Sequence, residues 1–441
     1  MLANPIKEVN ADLDLDRDFL DSLIFCWSIK KMEREVTQPV TLETEVKDQM
    51  LATIYGQAVG DAIGLLTEFM TKDEAIEAYG KKPKMLLYSQ KVNDVHRERW
   101  KDGDWTDDTD HVVVIIQSLL YNKGELLISD FAPRVHRWDR EGFPELGDFG
   151  GMGIGATTAK VLKQPEYKTK PQEAAYDVWE KSKHRFAPNG GVMRTSVLGL
   201  HQWHDLEAVF KNAVEICKCT HYDPRCQASS VAVSVAVALM LQHTSKEKTS
   251  GNKSSRPVDV TAVIKQAYEL ACRVLTTKEE KDELWWFMNC TKLKLLQLDE
   301  QDRIGFTYKC LGAAFWALKQ KDFQKALIKV LMAGGDADTN SAVAGAVLAC
   351  KLGVSAIPQP WLDGLVHKEW LDHYVNRFLK LQEEMVLPIE QRTPSDDLDL
   401  SLLLAEDKER HRKKEEERRR KYEEKLEKLE AEKKVKKVFM I

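Results

Sequence analysis

Apolar positions along this chain recur at helical spacing, every three to four residues, and short alternating runs joined by hairpin turns are missing. The pattern therefore predicts an all-α protein. Phe19, Leu20, Leu23, Ile24 and Trp27 predict one amphipathic helix in an N-terminal extension over 1–47. A helical body is expected over 48–390. Its first helix is predicted across 48–79, where Gly56, Gly60 and Gly64 recur four apart and lay down a flat stripe for another helix. Gln57, Asp61 and Glu68 interrupt that stripe and rule out its membrane version. Further helices are predicted from the apolar run after Asp110 through Tyr121, over 131–140, and from Ala156 onward. Others are predicted over 206–243 with a break at Asp223-Pro224, then over 260–275, 281–296, 308–319, 323–332 and 341–352. The segments 91–101, 142–155 and 244–257 read as loops, the last one mobile and exposed. The end of the chain, 391–441, is a charged tail. Tyr422, Leu426 and Leu429 are too few for sustained heptads, which leaves a solvated single helix or disorder.

Composition narrows the class. Hydrophobic residues make up 43% of 441, enough for a large core, and a net charge of −5 gives no reason to expect nucleic acid as a partner. Eight cysteines in so long a chain do not form a disulfide framework. Cys217, Cys219, Cys226 and His221 fit no common zinc spacing. Met1-Leu2-Ala3-Asn4-Pro5 lacks the basic start of a signal peptide, and Val231 to Leu241 is too short an apolar stretch to span a bilayer. The expectation is a soluble, cytoplasmic protein without a membrane partner; oligomeric state stays open.

Chemistry concentrates in two acidic turns. Asp102, Asp104, Asp107, Asp108 and Asp110 fall within nine residues, directly before Val112-Val113-Val114-Ile115-Ile116. Far downstream, Gly334-Gly335-Asp336-Ala337-Asp338-Thr339 also opens an apolar helix. One such turn is an ordinary helix cap. Two built alike point to a cation at the edge of a core. Asp107 and Asp108 diverge by about 100° on a first helical turn, which suits two neighbouring ions, or one ion and a water. Gly334-Gly335 predicts an irregular turn in which Asp336 and Asp338 face one point. Thr106 and Thr339 add neutral oxygens, and an all-oxygen set suits Mg²⁺ or a similar hard ion such as Mn²⁺. Without a cation the converging carboxylates must repel or take up protons.

Three other motif readings fail. An EF-hand counted from Asp102 needs glycine and glutamate where Asp107 and Val113 stand. A DDxxD motif fails at His111. Gly151-x-Gly153-x-Gly155 lacks the third glycine of a dinucleotide fingerprint and the strand before it. That glycine run is either a structural turn or a cradle whose N–H groups face a phosphate.

Taken together these pieces resemble the ADP-ribosylglycohydrolase family over roughly residues 50–360. They are Gly60-Asp61-Ala62-Ile63-Gly64 with Glu68-Phe69, then Trp105-Thr106-Asp107-Asp108-Thr109, and the glycine run with Ala156-Thr157-Thr158. Asn189-Gly190-Gly191-Val192-Met193-Arg194, Thr220-His221-Tyr222-Asp223-Pro224 and Gly335-Asp336-Ala337-Asp338-Thr339 follow in the family's order. The resemblance implies an all-α fold with a binuclear Mg²⁺ cleft. It places ligands on Thr106, Asp107, Asp108, Asp336, Asp338 and Thr339. It gives catalytic roles to Glu68, Asp107 and Asp338, and makes Asp61 a supporting residue. It lines an ADP-ribose cleft with Phe149, Gly151, Met152, Gly153, Ile154, Gly155, Asn189, Gly190, Gly191, Met193 and His221. The implied activity is hydrolysis of the ribose C1″ glycosidic bond of an ADP-ribosylated protein side chain or a small ADP-ribosyl compound. The alternative on the same fold is a non-catalytic ADP-ribose-binding or crystallin-like protein. Asp110-His111 departs from the family pattern; an acid there would either alter metal affinity or face water.

Overall fold

The structure is a computed structural model that describes residues 42–249, 257–393 and Arg420. The expected helix around Phe19–Trp27 and the charged run 406–437 lie outside the described residues, Arg420 apart. Among the described residues there are fifteen α-helices and no strand, only an isolated bridge between Pro188 and Phe306. The all-α expectation holds.

Two helices form the spine. Helix α1, Thr44–Gly64, is buried along nearly its whole length after Lys47, including the polar Gln49, Thr53, Gln57 and Asp61. A helix buried all round must satisfy such groups internally. Gln49 Nε2 donates to Cys350 O at 3.0 Å, and Gln57 Nε2 donates to Met193 O at 2.6 Å while accepting from Ser196 Oγ at 2.9 Å.

The predicted helix over 48–79 is broken. It stops at Gly64, turns through 65–71, and restarts as α2, Lys72–Tyr79. The restart carries a capping box, with Thr71 and Glu74 each satisfying the other's backbone N–H. The turn places Phe69 at φ 60° and carries Glu68 away from the helix axis.

Helices α3 (Asp107–Tyr121), α4 (Ile128–Glu141) and α5 (Ala156–Leu162) follow the pattern. Helix α6, Pro171–Lys181, was not expected; it buries little beyond Pro171, Ala174 and Ala175. Helices α7, Leu206–Lys218, and α8, Pro224–Thr249, break at Asp223-Pro224 as predicted. Helix α8 runs into the expected loop as far as Thr249, through a Lys-Glu-Lys run of good helix formers. Its stretch Pro224–Lys246 has mean hydropathy 1.3 and is long enough to cross a bilayer, yet 89% of that window lies inside the protein. It is a core helix flanked by α7 and by α9, Val260–Ala271.

Helix α10 is Lys278–Met288, shorter than predicted because the chain leaves the helix at Asn289. Helices α11 (Thr307–Leu318) and α12 (Phe323–Leu331) lead to α13, Ala337–Leu352, which is wholly buried from Ala337 to Cys350. Helix α14, Gln359–Asp363, and the amphipathic α15, Lys368–Glu384, close the body.

The closest helix pair is α1 against α13. Gly56 and Gly60 of α1 face Gly345, Ser341 and Ala342 of α13, with no room for a side chain between the two backbones. The predicted flat stripe therefore has a definite partner: the helix that begins with the second acidic turn.

Candidate functional site

Three N-terminal or C-terminal helix ends meet at one place. Asp61, in the last turn of α1 and three residues before its final Gly64, is fully enclosed. Its Oδ1 accepts from Thr106 N at 3.0 Å and Thr106 Oγ1 at 2.9 Å. Its Oδ2 accepts from Thr109 N at 2.9 Å and Thr109 Oγ1 at 2.6 Å. Asp61 thus caps α3 from another helix, supplying acceptors that the N-cap Thr106 side chain does not supply. Burial pushes Asp61 up to about 7, against the pull of those four hydrogen bonds.

The second acidic turn is built by backbone geometry. Gly334 and Gly335 sit at φ 69° and 74°, and a Cβ on Gly335 would stand 2.0 Å from Leu298 O. Gly335 N donates to Met70 O at 2.8 Å, and Phe69 N donates to Gly335 O at 2.6 Å. These two bonds dock the Glu68 turn directly on the Asp336–Thr339 turn. Asp336 becomes the N-cap of α13, and Asp338 lies in its first turn rather than in the irregular turn expected for both acids.

The two turns meet. Thr339 Oγ1 donates to Asp108 Oδ2 at 3.1 Å. Thr106 Oγ1 lies 3.3 Å from both Asp108 Oδ2 and Asp338 Oδ2 and 2.9 Å from Asp61 Oδ1. One hydroxyl has one proton, so at most one of these three acids receives it. Asp108 Oδ1 and Asp338 Oδ1 are buried without a hydrogen-bond partner. Oxygens of Asp61, Asp108 and Asp338 lie within 4.8 Å of one another, as do oxygens of Glu68, Asp336 and Asp338. Asp338 belongs to both groups. Asp107 belongs to neither and points to the glycine loop, where a Cβ on Gly153 would stand 2.6 Å from its Oδ1. The divergence expected of Asp107 and Asp108 is there.

Burial is the first cause that pushes the carboxyls of Glu68, Asp107, Asp108 and Asp338 above the usual carboxylate range; for the three aspartates, mutual repulsion comes next. For Glu68 the His96 ring opposes burial: its Nε2 lies 2.7 Å from Glu68 Oε2. Unpartnered, buried, all-oxygen donors that repel one another fit a hard divalent cation. Acidic clusters able to hold metal are therefore present.

A cleft of about 520 Å³ opens beside this cluster, lined by Glu68, Phe69, His96 and Arg99, by residues 149–154, and by Asp139, whose carbonyl accepts from Gly151 N at 3.0 Å. Phe149 stands at its mouth, 97% exposed. Gly151, Met152, Gly153 and Ile154 line it; Gly155 follows as the N-cap of α5. Asn189 reaches the cluster from a short 3₁₀ turn, donating from Nδ2 to Asp336 Oδ2 at 2.9 Å.

Other expected residues stand elsewhere. Met193 is a core side chain, 3% exposed, and its carbonyl accepts from Gln57 Nε2 of α1. His221 is 3% exposed and packs behind Gly190 and Gly191, its Nδ1 2.7 Å from Thr220 Oγ1. Burial pushes it down to about 3, so it is neutral and braces the Asn189 turn. Asp110 neither faces water nor joins the acid groups. It is buried and accepts from Trp105 Nε1 at 2.9 Å and Trp138 Nε1 at 2.8 Å.

The sequence reading missed His96, Arg97 and Arg99, which it placed in a polar loop, and Gly305. A Cβ on Gly305 would stand 3.4 Å from Asp336 Oδ2 and 3.6 Å from Asn189 Oδ1, so that glycine lies directly against both residues. A usable signal was present in Asp94-x-x-Arg97: Asp94 Oδ1 accepts from Arg97 N at 2.8 Å and starts the 3₁₀ turn Arg97–Arg99.

The fold is similar to that of a solved structure, an ADP-ribosylglycohydrolase-related protein complex, with a TM-score of 0.54, 22% identity and coverage of 77% of this chain and 100% of the other, a likeness that bears on the fold alone. Among curated relatives, an ADP-ribosylarginine hydrolase of Serratia proteamaculans is 26% identical over 347 residues, covering 78% of this chain and 82% of the relative. The ADP-ribosyl-dinitrogen reductase glycohydrolase of Rhodospirillum rubrum is 26% identical over 360 residues, covering 78% and 97%. The ADP-ribosylglycohydrolase family model matches residues 42–388, a span that contains both acidic turns, the Glu68 turn and the glycine loop, and the chain is a member of the ADP-ribosylglycohydrolase family.

Proposed function

We propose that this chain is a Mg²⁺-dependent hydrolase of the ribose C1″ glycosidic bond in ADP-ribosylated protein side chains, with arginine-linked ADP-ribose as the first substrate to try. The observation that carries the reading is the meeting of the two acidic turns, where Asp108 and Asp338 each keep one buried oxygen without a partner. The names of the Serratia and Rhodospirillum relatives support the linkage and the protein substrate.

In this reading Thr106, Asp107 and Asp108 from one turn and Asp336, Asp338 and Thr339 from the other hold two ions. Bound there, Mg²⁺ supplies Lewis-acid polarisation of ribose oxygens and lowers the pKa of water. Glu68 belongs to one acid group and also lines the cleft, and in this reading it takes the proton of the attacking water. Asn189 fixes Asp336 by its amide. The wall formed by residues 149–154 orients the ADP-ribosyl group, with Phe149 at the entrance. A panel of ADP-ribosylated acceptors, incubated with and without Mg²⁺, is expected to release free ADP-ribose only with the ion. Tight ADP-ribose binding by calorimetry with no release from any acceptor would overturn the catalytic reading in favour of a binding protein.

The same site sets a pH dependence. Glu68, Asp107, Asp108 and Asp338 have folded-state values above those of an unfolded chain. The stability such groups give is fully present below the unfolded carboxylate range and is lost as pH rises through the raised values. Mg²⁺ neutralises the same charges. Its addition should therefore raise the melting temperature strongly at pH 8 and little at pH 5.5, in a scan of the EDTA-treated protein. An equal rise at both values would count against metal at these carboxylates.

A further inference from the structure

Segment 94–100 forms a bracket around the turn that carries Glu68, reaching Leu65, Leu66, Glu68 and Phe69. Arg97 is 4% exposed and turns inward. Its Nε donates to Leu65 O at 3.0 Å and Leu66 O at 3.1 Å, and its Nη2 donates to Glu68 O. The backbone on either side of Glu68 is thereby pinned. His96 holds the side chain, with Nε2 at 2.7 Å from Glu68 Oε2. The His96 ring is itself gripped between Phe69 and Trp100, with centroids 4.9 Å and 5.2 Å away.

Which nitrogen of His96 carries the proton follows from Arg99. Its Nη2 lies 3.2 Å from His96 Nδ1, and its Nε donates to His96 O at 3.2 Å. A guanidinium has donors only, so Nδ1 must accept. The ring proton then sits on Nε2 and is donated to the Glu68 carboxylate. Arg99 is exposed but held in place, its guanidinium 4.4 Å over the Trp100 ring.

We propose that His96, set in its Nε2–H tautomer by Arg99, is the positioning residue that holds the Glu68 carboxylate beside Asp336 and Asp338 at the wall of the cleft. The proposal rests on the reading of Glu68 as the proton acceptor of the hydrolase. Without the ring, Glu68 keeps its backbone anchor at Arg97 but has free side-chain rotamers beside Asp336, whose charge repels it. It would turn toward solvent.

The test uses the full-length chain and arginine-linked ADP-ribose. His96→Ala is expected to lower kcat about 30-fold, the scale of a catalytic group displaced by an ångström or so, with KM within about threefold. His96→Gln, whose amide N–H reaches to a similar distance, should recover most of the loss. Arg99→Ala should cost a few-fold. Glu68→Gln with His96→Ala should turn over no more slowly than Glu68→Gln alone, because the two act as one unit. An unchanged kcat in His96→Ala, a loss confined to KM, or full additivity with Glu68→Gln would overturn the proposal. Ring ¹⁵N signals of His96 give a second reading that needs no turnover: protonation at Nε2 in the unmodified chain, where Glu68 accepts at Nε2 and Arg99 donates to Nδ1. Protonation at Nδ1 would overturn the proposal even in an active enzyme. If the unmodified chain releases ADP-ribose from no acceptor, the hydrolase reading fails by itself, and the ring signals alone decide whether His96 holds Glu68.

Discussion

Asp338→Asn is expected to lower ADP-ribose release by about a thousandfold or more, while the metal-free protein melts at a higher temperature than the unmodified one. The two effects have one cause. Asp338 is 3% exposed and is shared by both acid groups. Burial raises its carboxyl, and the charges of Glu68, Asp336 and Asp108 raise it further. Its Oδ1 has no partner, and its Oδ2 competes for the single Thr106 proton. A buried, under-satisfied anion among anions destabilises the fold at neutral pH. An isosteric neutral amide removes that repulsion and should raise the EDTA-treated melting temperature by ~2 °C, the shift that about 1 kcal/mol gives in a large domain. It also removes a charge that both proposed metal positions would need, and loss of preorganised electrostatic stabilisation at a reacting centre costs about 10²–10³ in rate. The Mg²⁺-induced rise in melting temperature should shrink with it. Single-turnover release and paired thermal scans with EDTA and Mg²⁺ check both halves. A variant that turns over at more than a tenth of the normal rate, or one that melts lower without metal, would refute the assignment of Asp338.

Such opposed effects explain why the acidic turns could be read from the chain while their surroundings could not. Thr106-Asp107-Asp108 and Asp336-Ala337-Asp338-Thr339 are local: acid, hydroxyl and helix start lie within a few residues of each other. The glycine stripe is local too, because spacing four apart fixes a face. The Asp94–Trp100 bracket has no period and no apolar run, and its purpose lies in a turn some thirty residues earlier, to which Arg97 and His96 reach. Asp110 misled for a related reason. Its acceptors serve two indoles, Trp105 and Trp138, and the pairing with Trp138 exists only once α3 and α4 pack. Met193 and His221 carry the right residue types near the right turn, but their side chains are core and brace. The break after Gly64 was written in Thr71-x-x-Glu74, a capping box that the continuing apolar pattern concealed. Helix α15 escaped because charged residues dilute its apolar stripe, although Leu371, Tyr374, Val375 and Phe378 share a buried face.

The stripe supports the second large prediction. Gly60→Ala should destabilise the protein by about 3 kcal/mol or more, and the fraction that folds should release ADP-ribose about 100-fold more slowly. A Cβ on Gly60 would stand 2.1 Å from Ser341 O, 2.6 Å from Ser341 C and 2.9 Å from Ala342 Cα. All three are backbone atoms of α13, so no side chain can rotate away. Relief requires α1 and α13 to separate. Asp61 of α1 fixes the start of α3 through four hydrogen bonds, while Asp338 and Thr339 ride on α13. Separation therefore pulls the two acidic turns apart across contacts of 3.1 Å and 3.3 Å that have little to lose. Gly56→Ala provides the contrast, one helical turn farther from Asp61. Its Cβ would meet Ala349 Cβ and Gly345 O, both at 2.5 Å. It should destabilise comparably in urea titrations but slow ADP-ribose release far less, because the helices can splay at that end while the acidic turns stay in register. If Gly60→Ala unfolds within about 1 kcal/mol of the unmodified protein, the two helices are not in backbone contact. The proposal that this contact holds the acidic turns together would then fail, because α1 and α13 could part without cost.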